Sequence, residues 1–82
     1  MDQAVVQSRA LPLALENFDR LPAAAFVNVH VVCGVYGRSK AAVWRDIAAG
    51  RVPRPHKFGR ASRWNVGELR AALEAVRAGA TA

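Results

Sequence analysis

The chain has 82 residues, and its twelve Lys and Arg outnumber its six Asp and Glu to give a net charge of +6 at pH 7. This length allows one small domain with a thin core, which leaves little room for a large catalytic cleft. No apolar run is long enough to cross a bilayer and no signal-peptide pattern is present, so we expect a cytoplasmic protein that does not contact membranes.

Residue types that carry chemistry in enzymes and metalloproteins are sparse. The single cysteine, Cys33, cannot form an internal disulfide, and with only His30 and His56 beside it no spacing suggests a metal site. The chain shows no pair of carboxylates, no nucleophile beside a base and no phosphate-binding glycine loop. We therefore expect no enzymatic activity, no metal and no cofactor, with Cys33 as a small buried apolar residue.

The N-terminal third shows little periodicity. Residues 1–14 have no sustained apolar period, so we expect residues 1–25 to form a mobile or loosely packed extension. Within it, Leu15, Phe18 and Leu21 are spaced three apart, which predicts one or two helical turns that pack on the domain as a flap.

Apolar and polar residues then alternate over Phe26–Val31, where β-branched side chains predict a strand. Strand propensity alone extends this element to Cys33. The valines after it are instead spaced for a short helix that ends near Gly37, so the boundary between strand and helix stays open.

A second helix is marked at both ends. Ser39 is suited to cap its start, Gly37 allows a tight turn before it, and Gly50 is suited to end it. At about 100° per residue, the arc expected in the core consists of Val43, Trp44, Ile47 and Ala48. The arc expected to face outward consists of Ala41, Ala42, Arg45 and Ala49. Such a face suits close approach to a DNA major groove, although alanine is also simply the best helix former.

A basic β-hairpin is predicted next. Prolines after Gly50 exclude helix, and Gly59 offers a turn between two short strands, Lys57–Phe58 and Arg63–Trp64. We expect the aromatic residue that ends each strand to point into the core. Arg60 and Arg63 are expected near the tip of the hairpin.

The last helix begins at a capping box, in which Asn65 accepts a helical N–H and Glu68 reaches back to the cap. It should pack by one apolar stripe, made of Val66, Leu69, Leu73 and Val76. We expect it to stop near Gly79 and residues 80–82 to fray.

The positive charge is concentrated in the middle of the chain. From Gly37 to Trp64, eight basic residues face only Asp46, a net charge of +7, while the rest of the chain has a net charge of −1. This is the distribution expected of a surface that faces a polyanion. The order helix, turn, helix, basic hairpin, helix predicts a mostly α fold with a small β-hairpin, a winged helix-turn-helix over residues 26–79.

Several short motifs strengthen this interpretation, namely Gly37-Arg38-Ser39, Val43-Trp44-Arg45, Gly50-Arg51-Val52-Pro53-Arg54-Pro55, Lys57-Phe58-Gly59-Arg60 and Arg63-Trp64. Together they resemble the AlpA-like small phage and prophage regulators, relatives of excisionases and of the MerR-type winged helix. The resemblance covers residues 26–73. It departs from the family at Ala42, where a threonine is usual, and at Trp44, where a tyrosine is usual. It implies that Arg45, Lys57 and Arg60 contact DNA.

We therefore expect a sequence-specific double-stranded DNA-binding protein, acting as a transcriptional regulator or as a recombination directionality factor (excisionase). It would act by binding, with self-association on adjacent DNA sites or a recombinase as further partners. The candidate DNA-binding residues are Arg38, Ser39, Lys40, Ala41, Ala42, Trp44, Arg45, Arg51, Arg54, Lys57, Arg60 and Arg63.

These candidates divide by expected role. Those expected to neutralise phosphates are Arg38, Lys40, Arg51 and Arg54. Arg45 and the alanine face would meet base edges, Arg60 and Arg63 would reach the backbone or minor groove, and Ser39 would position the helix.

Two other functions compete with this one. A protein-interaction adaptor would use the alanine-rich helix face against a partner protein, and its binding would respond little to salt. Binding to structured RNA is a third and less favoured hypothesis, because the sequence suggests no stacking aromatics on a sheet surface.

Overall fold

The computed structural model describes residues 13–79. Its elements in chain order are α1 (Leu13–Glu16), a 3₁₀ turn (Phe18–Arg20), β1 (Phe26–Val27), α2 (Val29–Tyr36), α3 (Lys40–Ala48), β2 (His56–Phe58), β3 (Ala61–Asn65) and α4 (Val66–Arg77). Expectations for residues 1–12 and for the tail 80–82 lie outside the described residues. Within that described range, no helix combines the length and apolar character needed to cross a membrane.

Three strands form a small antiparallel sheet in the order β1-β3-β2. The sequence predicted a first strand and a hairpin separately and did not predict that they pair. The predicted hairpin is confirmed as β2 and β3, with Phe58 opposite Ala61 and the two-residue turn Gly59–Arg60 between them. The φ of Gly59 is 67°, the sign required at the first position of a type II′ turn. β1 adds to the other edge of β3, so β3 is the central strand.

The predicted strand over Phe26–Val31 is wrong beyond its first two residues. Asn28 caps α2, because its Oδ1 accepts the N–H of Val31 at 3.2 Å. The competing prediction of a short helix is confirmed, since α2 ends at Gly37, whose φ is 65° and whose N–H donates to the carbonyl of Cys33. A local cap therefore outweighs the strand propensity of the valines.

Both predicted ends of α3 are confirmed. Ser39 is the N-cap, and its Oγ accepts the N–H of Ala42 at 3.1 Å. Gly50 follows the last turn with a φ of 83°. The turn between α2 and α3 is only three residues, Gly37 to Ser39, which holds the two helices as neighbours.

The face that α3 buries differs from the predicted one. The buried side chains are Ala42, Val43, Asp46 and Ile47. The exposed ones, continuing to the C-cap, are Lys40, Ala41, Trp44, Arg45, Ala48 and Ala49. Trp44, expected in the core, is 40% exposed, and Ala42, expected to face outward, is 6% exposed. The helix is thus rotated by about 100°, one residue's step, from the predicted orientation.

Trp64 is the centre of the core. Its side chain is fully buried as predicted, and its Nε1 donates to the carbonyl of Pro53 at 2.9 Å. The buried apolar residues that cluster with it are Phe18, Val27, Val31, Val32, Val43, Ile47, Val52, Val66 and Leu69. The same expectation for Phe58 is wrong, because strand alternation places Phe58 on the opposite face of the hairpin from Trp64.

The helical turns before β1 pack onto this core. Phe18 is buried and Leu21 is half-buried against it, so the predicted packing of these turns is confirmed. Arg70 on α4 holds them in place, since its Nη2 donates to the carbonyl of Phe18 at 2.8 Å and to that of Leu21 at 2.6 Å. Leu15 lies directly over Gly34 of α2, where a Cβ would collide with it.

The start of α4 is confirmed at Asn65, whose Oδ1 accepts the N–H of Glu68 at 2.9 Å. Glu68 does not complete the predicted capping box within residues 13–79. Its Oε1 instead lies 3.0 Å from His56 Nε2, which ties the hairpin to α4. Burial of the predicted apolar stripe decreases along the helix, since Leu69 is buried and Val76 is exposed.

Candidate nucleic-acid interface

The exposed half of α3 carries the candidate interface. Projected at about 100° per residue, the exposed side chains occupy one continuous half of the helix and the buried ones the other. Only Lys40 and Arg45 are polar on the exposed half. The remaining side chains there are three alanines and Trp44, so the surface is low in relief apart from the indole ring.

A groove joins this half of α3 to the hairpin, and we call it the cationic groove. It has a volume of about 380 Å³ and is lined by Trp44, Ile47, Ala48, Arg54, Pro55, Lys57 and Ser62. The lining residues come from the helix, from the proline-containing loop and from the inner face of the hairpin. The predicted second helix and the predicted wing therefore form one surface.

Trp44 forms a wall of this groove. Its ring centroid lies 5.6 Å from that of the buried Trp64, with the ring planes at 58°. Trp64 is in turn fixed by its hydrogen bond to Pro53. An exposed indole that rests on a fixed, buried one offers a preorganised apolar surface at little cost in side-chain entropy.

Several basic side chains of α3, of the loop after it and of the hairpin are not compensated by acids. Lys40, Arg45, Arg54 and Arg60 are exposed, and none makes a side-chain hydrogen bond or ion pair with any residue from 13 to 79. Lys57 donates only to a neutral partner, the Oγ of Ser62, at 3.1 Å. Much of the predicted positive charge is therefore carried by exposed side chains that have no acidic partner among residues 13–79.

Two other predicted phosphate ligands have a structural task. Asp46 is only 5% exposed, and its carboxylate lies between two guanidinium groups. Arg38 Nε lies 2.9 Å from Oδ2, and Arg51 Nη2 lies 2.8 Å from Oδ1. This Arg38–Asp46–Arg51 clamp joins the turn before α3 to the loop after it, and it has a net charge of +1.

The clamp also sets the protonation of its carboxylate. Hydrogen bonds from Arg51 and then Arg38 lower the pKa of Asp46 below its ordinary value, so the group is ionised at neutral pH. Nearby, burial and then the negative charge of Asp46 raise the pKa of Tyr36, whose hydroxyl has no hydrogen-bond partner among the described residues. Each arginine of the clamp keeps about half of its side chain exposed. Donors not used on Asp46 remain available to a phosphate.

Two candidate residues are placed away from the groove or beneath it. Ala42 is buried, and what it contributes is its N–H, which Ser39 caps, so its side chain is not available to DNA. Arg63 lies opposite His56 in the sheet and therefore on the other face from Ser62 and Trp64. It is half-buried and donates to the carbonyl of Ser62.

The outer face of the sheet carries an aromatic cluster that the sequence did not suggest. Phe26, 41% exposed, has its ring centroid 5.4 Å from that of His56 and 5.3 Å from that of Phe58, both edge-on. The premise used against RNA binding, that no aromatics share a sheet surface, is therefore wrong. This cluster depends on the pairing of β1 with β3, which brings Phe26 beside the hairpin. Knowledge of that pairing would have been needed to predict it from the sequence.

A second groove lies at α1 and α4, and we call it the mixed groove. It has a volume of about 520 Å³ and is lined by Leu15, Phe18, Asp19, Val35, Arg70, Leu73, Glu74 and Arg77. Its charges are of both signs. Arg77 Nη1 lies 3.1 Å from Glu74 Oε1, and Arg70 is bound to main-chain carbonyls.

Comparison with protein-family models, with curated proteins and with solved structures found no match to this chain. Across residues 13–79, no group of three or more His, Cys, Asp or Glu side chains is arranged to hold a metal ion.

Proposed function

We propose that the protein binds double-stranded DNA as a winged helix-turn-helix, with the exposed half of α3 in the major groove and the hairpin as the wing. The observation that carries this proposal is the cationic groove, which places α3 and the hairpin on one surface with Arg54 and Lys57 in its lining. A three-residue turn between α2 and α3 is the connection that this motif uses.

The residues then take different parts. Lys40 at the start of α3 and Arg54 and Lys57 in the groove neutralise phosphates, and Arg60 at the hairpin turn reaches the backbone beside them. Arg45 faces base edges from the middle of the exposed half. Arg38 and Arg51 hold α3 through Asp46 and present their remaining donors to the backbone.

The regulatory role is part of the same proposal. The motif resemblance to AlpA-like regulators supports a transcriptional regulator, and the recombination directionality factor is the alternative within the same binding mode. Either role needs no chemistry by the protein, only a specific duplex site. A footprint across the source genome would separate them, because a regulator binds at promoters and a directionality factor binds at recombination sites.

A protein-interaction adaptor remains the second candidate, because Trp44 and three alanines give α3 an exposed apolar face. Salt dependence distinguishes the two. If four or five cations neutralise phosphates, log K should fall against log salt with a slope of about −3.5 to −4.5. An apolar docking face should respond weakly, and in the opposite sense with strongly excluded salts.

The experiment is a set of binding isotherms for the full chain on duplex DNA, single-stranded RNA and structured RNA at several salt concentrations. Arg54→Ala should weaken duplex binding and make the slope about one unit shallower. Arg77→Ala is the matched control, because it removes the same charge from the mixed groove. Equal loss for both variants, or tighter binding to RNA than to duplex, would contradict the proposal.

A further inference from the structure

We infer that the α3 surface recognises its site mainly through the 5-methyl groups of thymine, with hydrogen-bonded base readout limited to one or two positions. This inference rests on the proposed function and specifies the class of DNA sequence that it implies. The carrying observation is the composition of the exposed half of α3, in which Lys40 and Arg45 are the only long side chains that donate several hydrogen bonds and Trp44 adds a single indole N–H.

This surface has too few hydrogen-bonding side chains to read several base pairs by hydrogen bonds. Bidentate recognition of guanine or adenine needs Arg, Lys, Asn or Gln, one side chain for each base read. Lys40, at the first turn, is placed to meet the backbone, which leaves Arg45 as the one long donor in the middle of the helix. A site read by hydrogen bonds alone would therefore be specified at about one base pair.

The apolar side chains supply the missing contacts. Ala41, Trp44 and Ala48 follow one another along the exposed half at helical spacing, and at about 1.5 Å per residue they span about 10 Å. This distance corresponds to about three base-pair steps of a duplex, at about 3.4 Å each. The one apolar group that a base pair presents in the major groove is the thymine methyl, and alanine is a usual contact for it.

The groove beside these residues fits the same ligand. Its floor is the buried Ile47, its walls include Trp44 and Ala48, and Arg54 and Lys57 also line it. Apolar walls with cations beside them match the major groove of DNA, where thymine methyl groups lie between the two sugar-phosphate backbones. A purely apolar partner would not need those cations, since they would lose hydration without gaining a counter-charge.

Trp44 is fixed before binding by its contact with Trp64. A methyl group that meets it does not have to order a mobile ring, so little of the gain is lost to side-chain entropy. Transfer of one methyl from water to such a surface changes affinity by about four-fold. Two or three thymines at adjacent positions would change it by roughly fifteen- to sixty-fold.

The test begins with a random-oligonucleotide selection on the full chain, followed by deoxyuridine for thymidine substitution in the selected duplex. This substitution removes the methyl group and keeps the base pair. We expect thymines clustered within three or four adjacent base pairs, and about four-fold weaker binding for each of those methyls removed. Substitution of thymines outside the footprint is the control and should change nothing.

A protein variant completes the test. Ala48→Ser keeps the size of the side chain and the helix but presents a hydroxyl, so it should lower affinity for the thymine duplex and reduce the penalty of deoxyuridine at one position. Thermal melts confirm that the variant is folded. Trp44→Ala removes the apolar surface beyond Cβ, so it should reduce the penalty of deoxyuridine at a neighbouring position.

The outcomes separate this inference from the function on which it rests. If deoxyuridine changes affinity less than two-fold at every position while one duplex is still preferred, methyl readout is wrong and DNA binding stands. If no duplex is preferred over random DNA and the salt slope is flat, both proposals fail.

Discussion

The cationic groove and the mixed groove are both open and partly apolar, and they differ in how their charges are satisfied. In the larger mixed groove, Arg70 is bound to main-chain carbonyls and Arg77 is paired with Glu74. In the smaller cationic groove, Arg54 has no acidic partner within residues 13–79 and Lys57 has only a hydroxyl. Volume alone would select the mixed groove, whereas the proposed function assigns binding to the cationic groove. Uncompensated charge points to the surface that has electrostatic free energy left for a polyanion.

The largest expected effect comes from the residue beneath the cationic groove. Trp64→Ala should unfold or severely loosen the domain, because loss of a fully buried aromatic costs about 3–5 kcal/mol and a domain of this kind has only about 5–15 kcal/mol in total. Thermal and denaturant melts would measure this.

Trp44→Ala is the matched control, since it removes the same side chain from the exposed half of α3. It should cost less, about 2 kcal/mol, because part of this ring stays in water in the folded protein. A well-folded Trp64→Ala protein that fails to bind DNA would contradict this division and place Trp64 at the ligand.

The next effect is on the clamp that holds α3 against its neighbours. Asp46→Asn keeps the shape of the side chain and removes its charge, so it should lower the melting temperature at neutral pH while Arg38 and Arg51 lose their common partner. Melts of both proteins across a pH series would measure the difference.

The pH dependence of that difference has a definite sign. Because the pKa of Asp46 is lowered in the folded protein, its contribution is fully present above the unfolded value near pH 4 and is lost as pH falls through the folded pKa. The gap in melting temperature between wild type and Asp46→Asn should therefore narrow below about pH 4. A gap that stays constant to low pH would show that the carboxylate charge is not what stabilises the clamp.

The clamp also explains the main error made from the sequence. Helical periodicity assigned Trp44 to the core, whereas the structure leaves Trp44 partly exposed and buries Asp46, which neither predicted arc included. An aspartate can be buried here only because arginines eight residues before it and five residues after it fold back onto it. Those pairings depend on the loops at both ends of α3, and helical periodicity carries no information about them.

Other parts of the fold were readable because they are local. The caps Ser39 and Asn65, the turn glycine Gly59 and the terminating Gly50 act within a few residues, and all four occupy the predicted places. The strand β1 was misjudged because its partner, β3, lies about forty residues further along the chain. The aromatic cluster of the outer sheet face depends on that same pairing.

A third prediction compares Arg45 on the exposed half of α3 with Arg60 at the hairpin turn. Arg45→Ala should cost about 1–3 kcal/mol on the selected duplex and much less on random DNA, so preference at one base pair collapses. Arg60→Ala, at the hairpin turn, should weaken all duplexes alike and make the salt slope about one unit shallower. Isotherms on matched and scrambled duplexes at several salt concentrations would measure both.

Identical behaviour of the two variants would remove base reading from Arg45. Specificity would then come from the methyl contacts of α3 or from the shape of the DNA. Because both side chains are exposed, neither substitution should change the melting temperature by more than about 2–4 °C.

The smallest effect should come from the mixed groove, where the comparison predicts a change in stability without a change in binding. Arg70→Ala removes two hydrogen bonds to the turns around Phe18 and a guanidinium that lies 5.6 Å from the centre of the Phe18 ring. The loss should be about 1 kcal/mol, because the side chain is only partly buried and water can replace part of what it donates. Arg70→Lys keeps the charge but offers no planar fork, so it should restore only part of the stability.

DNA affinity measured well below the melting temperature should be the same for wild type and both variants. A loss of affinity that follows the missing charge, present in Arg70→Ala and absent in Arg70→Lys, would mean that the mixed groove also faces the polyanion. Charge compensation would then no longer distinguish the two grooves.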